Sequence, residues 1–179
     1  MRDPNTLRVL SFDGGGTRGI ASNKFMSLYL QRAGIDEDRI ADNFDLISGT
    51  SVGAILALAY ANRFTPTTMR NFFIDDAPYI FSISSLIPSL RPPTLSKVAT
   101  MILGGSFYSN TTLISRLEEE FGTITLTDMD TNVLVPSYQY DTDKLILFSN
   151  ANFPGSFGQT ALASQVALAS AAPPIYFPN

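Results

Sequence analysis

The sequence predicts an α/β domain built on a mostly parallel sheet. Three observations carry that expectation. Short apolar runs of strand character alternate with longer segments that repeat at helical spacing. Two of the strand-to-helix joins are glycine-rich turns, Asp13–Gly19 and Gly49–Gly53. The 179 residues are 45% hydrophobic and only 16% charged, a low charge fraction that suits a sheet buried beneath helices. A chain of this length fits one domain with a substantial core.

The elements follow in order. Leu7 to Phe12 reads as a short buried strand and Asp13 to Gly19 as a turn. Ile20 to Ala33 carries apolar residues at Ile20, Phe25, Met26, Leu28, Tyr29 and Leu30, near helical spacing, and Gly34 closes the helix. A polar segment, Asp36 to Asp42, leads to a second strand, Phe44 to Ser48. After the Gly49–Gly53 turn, Val52 to Asn62 is apolar nearly all round and is expected to be a buried helix. Thr65 and Pro66 supply a cap and a first-turn proline for a helix running to about Asp75. Residues 77–94 hold four prolines among serines and apolar residues and read as an irregular, partly helical excursion, either a lid or a packed connection. Thr111 to Phe121 reads as a helix. Val133 to Gln139 and Lys144 to Ser149 alternate as strands across an Asp141-Thr-Asp143 turn. Thr160 to Ala171 is a small-residue helix stopped by Pro173 and Pro174.

Composition excludes several chemistries. The net charge is −4 with only 12 basic residues, and no basic stripe is present, so nucleic acid is not an expected partner. Attraction to anionic membranes lacks support for the same reason, and any membrane contact must be apolar. The chain has no cysteine and no histidine. A Ser-His-Asp triad, a thiol nucleophile and a His- or Cys-ligated zinc site are therefore beyond its own residues. Serine catalysis here would need a carboxylate or a lysine as base. The N-terminus lacks the apolar stretch of a signal peptide, and the longest apolar run, Val52 to Ala61, is about half a membrane span. The expected location is cytoplasmic or peripheral on a membrane.

Two motifs carry chemistry. Gly49-Thr50-Ser51-Val52-Gly53 has the form G-x-S-x-G between an expected strand and an expected helix. Gly49 and Gly53 leave room for a tight turn that would project Ser51 at a helix N-terminus, where backbone N–H groups and the helix dipole favour negative charge. Asp13-Gly14-Gly15-Gly16-Thr17-Arg18-Gly19 also joins a strand to a helix. Its successive N–H groups can converge on an anion, either a phosphate or the oxyanion of acyl transfer. Arg18 could hold a phosphate or anchor the loop. The same loop satisfies G-x-G-x-x-G, but the strand and acidic residue of a dinucleotide site are not found downstream, and no P-loop Gly-Lys-Ser/Thr follows.

The two motifs together, in this order, resemble the signature of patatin-like phospholipases. Ala169-Ser170-Ala171-Ala172-Pro173 through Phe177-Pro178 is similar to the segment that precedes that family's Asp-Gly motif. The resemblance implies a patatin-type three-layer sandwich, with helices on both faces of the central sheet. It implies a serine lipid acyl hydrolase, of phospholipase A or lysophospholipase type, with a Ser-Asp dyad. Ser51 would be the nucleophile and Gly14, Gly15 and Gly16 the oxyanion hole. The substrate would be a phospholipid or other acyl lipid, and no metal or other cofactor would be needed. A dyad agrees with the absence of histidine.

One departure stands out. The family's aspartate is expected in an Asp-Gly pair after the Phe-x-Pro segment, and the sole Asp-Gly here is Asp13-Gly14. Residues 1–179 therefore read as a single patatin-like domain truncated at its C-terminal end. Asp45, Asp128, Asp130, Asp141 and Asp143 read as turn or solvated residues rather than bases, as do Lys24, Lys97 and Lys144. Acyl transfer to another acceptor, and an inactive domain binding an anion or nucleotide, are the alternatives.

Overall fold

The computed structural model describes residues 6–76, 110–152 and 154–171. The excursion at 77–94, Lys97, and the segment from Ala172 through Phe177-Pro178 lie outside the described residues. The strands are β1 (Val9–Phe12), β2 (Leu46–Gly49), β3 (Asn132–Gln139), β4 (Lys144–Phe148) and β5 (Ser156–Phe157). They form one five-stranded sheet in the order β1-β2-β3-β4-β5. The pairs β1–β2, β2–β3 and β4–β5 are parallel and β3–β4 is antiparallel. The sheet is thus mostly parallel, as its alternation with helices predicts.

The helices are α1 (Gly19–Ala33), α2 (Ile40–Asn43), α3 (Val52–Ala61), α4 (Pro66–Asn71), α5 (Asn110–Phe121) and α6 (Ala163–Ala171). The local signals act as expected. Gly34 caps α1 in the left-handed conformation, with φ 64°. Thr65 accepts a bond from the Thr68 N–H at 3.0 Å, with Pro66 opening α4. Beyond Asn71 the chain widens into a π-helical turn, Phe72–Asp76. Two short helices replace the expected polar connection: a 3₁₀ turn at Glu37–Arg39 and then α2.

Helix α3 is the centre of the core. Each of its residues from Val52 to Ala61 is buried. It lies against β1, β2 and β3, while α6 packs on α3, α5 and β3. Phe12, Ile47, Val133 and Val135 bury their side chains in the same cluster. A helix apolar on every side can be stable only when covered on every side, which is why its neighbours are α1, α2, α6 and the sheet. Inside this core Tyr60 donates to Asn23 Oδ1, and Asn23 Nδ2 donates to the Pro66 carbonyl at 2.9 Å. Burial pushes the Tyr60 phenol pKa well up, so it is held as the donor.

Candidate functional site

The β1–β2 register brings the two glycine motifs together. Phe12 pairs with Gly49, so both strands end at the same edge and both chains turn there. Parallel strands place their carboxyl-end loops where ligands of open α/β sheets bind. A Cβ on Gly14 would stand 3.1 Å from Ser51 Cβ and 3.1 Å from the Thr50 carbonyl oxygen. The first glycine loop is therefore in contact with the second. The Thr50 N–H donates to the Phe12 carbonyl at 3.2 Å and ties the two turns across the sheet edge.

Glycine is required on both sides of Ser51 by close approach. A Cβ on Gly49 would lie 2.0 Å from the Gly53 carbonyl oxygen, and one on Gly53 would lie 2.2 Å from the Phe12 carbonyl oxygen. The backbones of β2, α3 and β1 thus meet with no space for a side chain. The turn forces Ser51 to φ 58°, ψ −128°, a conformation costing a non-glycine residue about 1–3 kcal/mol. Ser51 is half-buried and caps the N-terminus of α3, where the Ala54 N–H donates to its carbonyl at 2.8 Å. Its side chain therefore stands at the positive end of the most buried helix.

One bond joins the turn to the C-terminal end of α6, and two more join that helix end to β3. The Ser51 N–H donates to Ser170 Oγ at 3.0 Å, and Ser170 Oγ donates to the Pro136 carbonyl at 2.8 Å. Ser137 Oγ donates to the Ala169 carbonyl at 2.5 Å. Sequence reasoning placed Ser170 in a motif but missed this contact, which spans 119 residues.

In the first loop, among the described residues, neither Gly14 nor Gly15 donates its N–H to a backbone carbonyl. Arg18 is exposed and curls back, its Nε donating to the Gly15 carbonyl at 3.4 Å and its backbone N–H at 3.2 Å.

The remaining candidates lie elsewhere. Asp45 precedes β2 and accepts from the Arg8 N–H at 2.8 Å. It is separated from Ser51 by the length of the strand, roughly 15–20 Å at ~3.3 Å per residue. Asp128 closes a capping box with Thr125, whose backbone N–H and hydroxyl hold the Asp128 carboxyl below its usual pKa. Asp130 accepts from Arg63 Nε at 3.0 Å. Asp143 sits in the β3–β4 turn with φ 54° and accepts from the Tyr138 hydroxyl. Lys144 opens β4 at the same turn, and Lys24 lines a cleft between α1 and α4 with Arg70. A polar cleft of about 520 Å³ lies beside Asp42, Asp45 and Asp130, at the N-terminal ends of β2 and β3 and so at the opposite end of the sheet from Ser51. Its carboxylates are engaged with the arginines. Arg63 Nη2 donates to Asp42 Oδ1 at 2.8 Å, and Arg39 Nε to Asp42 Oδ2 at 2.9 Å. These bonds pull the Asp42 carboxyl down to a pKa of about 2. Among the described residues no three carboxylates converge as a cation site.

Comparisons with known proteins show the family and the fold. A family model described as patatin-like phospholipase matches residues 10–179. Patatin-like protein 2 of Oryza sativa is 32% identical over 182 residues, covering 96% of this chain and 44% of that protein. The cGAMP-activated phospholipase of Vibrio cholerae is 30% identical, covering 97% of this chain and 50% of that protein. The chain thus spans about half the length of the curated relatives it matches. The crystal structure of VipD from Legionella pneumophila superposes with a TM-score of 0.53 over 96% of this chain and 43% of that one, at 17% identity, a likeness of fold alone.

Proposed function

The chain belongs to the patatin-like phospholipase family, and from that premise we propose that it carries the nucleophile and oxyanion site of a serine lipid acyl hydrolase. The observation that carries the reading is the strained turn at Ser51, packed directly against the glycine loop. A strained serine at a buried helix N-terminus is stable only if the surroundings over-determine it, and such strain gathers at functional sites.

In this reading Ser51 Oγ attacks the carbonyl carbon of a lipid acyl ester. The hydroxyl proton passes to an aspartate outside these 179 residues, the Asp-Gly partner expected of a Ser-Asp dyad. The backbone N–H groups of Gly14, Gly15 and Gly16 take up the charge on the carbonyl oxygen, with the α3 dipole behind them. The tetrahedral intermediate collapses, the lipid alcohol leaves with the proton, and Ser51 keeps the acyl group. Water then adds to the acyl carbon, the fatty acid departs and the serine is regenerated. Arg18 holds the loop through Gly15. Gly49 and Gly53 hold the turn.

A phospholipid or other acyl lipid is the proposed substrate class. The exposed apolar side chains of Ile20, Phe25, Leu28 and Tyr29 on α1 suit apolar contact with a lipid surface. Among the described residues no helix is long and apolar enough to cross a membrane.

Ser51→Ala in the gene product that contains this chain tests the reading. Fatty-acid release from phospholipid vesicles should fall by at least ~10³-fold. Hydrolysis unchanged by the substitution discards it.

A further inference from the structure

We propose that Ser170 is a positioning residue that holds the Ser51 backbone in its reactive conformation. This inference rests on the reading of Ser51 as the nucleophile.

The ladder between β2 and β3 explains why such a residue is needed. Leu46, Ile47 and Ser48 pair with Asn132, Val133 and Leu134. At Gly49 strand β2 ends and the chain turns, while β3 continues to Gln139. From that point the next groups on each side, the Ser51 N–H and the Pro136 carbonyl, have lost the strand partners that a longer β2 would have given them. The Ser170 hydroxyl lies between them. It accepts from the Ser51 N–H at 3.0 Å and donates to the Pro136 carbonyl at 2.8 Å. A hydroxyl has one proton to give. Donating it to Pro136 turns a lone pair towards Ser51, so one bond fixes the polarity of the other.

Two further features set Ser170 apart from an ordinary helix serine. Its proton crosses to another element rather than returning to the preceding turn of α6, the usual local alternative. The helix end that carries it is pinned to β3 independently, by the bond from Ser137 Oγ to the Ala169 carbonyl. The Ser51 N–H is thus bound to a fixed point. Thr50 is fixed on the other side by Phe12, and the strained residue is clamped between the two. Without the hydroxyl, φ of Ser51 is free to relax and Oγ to drift. Displacement of a reacting group by about 1 Å can cost ~10²-fold in rate.

The test uses Ser170→Ala in the gene product, read on phospholipid vesicles and by the rate of Ser51 labelling with a fluorophosphonate. The expected result is a fall of about 10- to 100-fold in kcat and in labelling rate, with KM within about twofold. A merely structural role would lower Tm and leave kcat per folded molecule as it was, and that outcome overturns the proposal. If Ser170→Ala does not fold, Ser170→Cys replaces it, since a thiol keeps the shape but is a weak donor and acceptor. A drop in its kcat supports the proposal, and unchanged kcat overturns it. Ser51→Ala serves as the reference. If it still hydrolyses lipid, the nucleophile reading itself fails. If it is inactive while Ser170→Ala labels at the wild-type rate, only the positioning role falls.

Discussion

Gly53→Ala should disrupt the crossing of α3 over β1 more severely than its size suggests. The added Cβ would sit 2.2 Å from the Phe12 carbonyl oxygen and 2.8 Å from its carbon. Carbon–oxygen contacts settle at about 3.3–3.6 Å, so the overlap is about 1.1 Å, with backbone on both sides. No rotamer can relieve it, and either β1 or α3 must move. Overpacking in a core costs about 1–3 kcal/mol where side chains can shift, so at least about 3 kcal/mol is expected where they cannot. With a urea m-value of about 2 kcal/mol/M, that lowers the unfolding midpoint by about 1.5 M. Gly34→Ala is the control. Gly34 has φ 64° and nothing within 4 Å of the new Cβ, so it senses conformation alone and should cost about 1–2 kcal/mol. Urea unfolding of both variants decides the matter. A Gly53→Ala midpoint shift no larger than that of Gly34→Ala would refute the close backbone approach on which the Ser51 turn depends.

Three other outcomes follow from the same structure. Ser51→Gly should raise stability by about 1 kcal/mol while abolishing activity, because glycine adopts the turn's positive φ without strain; a thermal melt showing the variant less stable than wild type would contradict this. Tyr60→Phe should cost about 1–3 kcal/mol, since it leaves the buried Asn23 Oδ1 without its donor; an unchanged Tm would show that the bond is dispensable. Asp42 is held at a pKa of about 2 against an ordinary value of 3.8, through hydrogen bonds from Arg63 and then Arg39. Its contribution to stability is therefore present above about pH 4 and lost as pH falls towards 2. Asp42→Asn should flatten the decline of Tm over that window, and parallel Tm–pH curves for the two proteins would count against the ion pair.

Local chemistry made much of the fold legible. Gly34 stops α1, Thr65 and Pro66 start α4, and the run from Val52 to Ala61 is a buried helix because no face of it can meet water. The Ser51 turn was legible too, since glycines two residues either side of a serine between strand and helix leave few other structures. The missed features depend on distant partners. The segment Asp36 to Asp42 reads only as polar, yet Glu37–Arg39 and Ile40–Asn43 are helical and braced by Arg63, whose Nη1 reaches the Asp38 carbonyl and whose Nη2 reaches Asp42. Strand β5 is two residues long and has no periodicity to detect; it exists because β4 offers an edge. Helix α6 starts at Ala163 rather than Thr160, because Leu162 first bridges to Thr125. Ser170 lay in a recognised motif, but nothing in spacing could show that its hydroxyl meets the Ser51 N–H.

The most direct measurement is fluorophosphonate labelling of the gene product, with the modified peptide located by mass spectrometry. The account predicts a single adduct on Ser51 that forms in step with loss of lipid hydrolysis and is absent from Ser51→Ala. An adduct on another serine, or lipid hydrolysis that survives with Ser51 fully labelled, would contradict it.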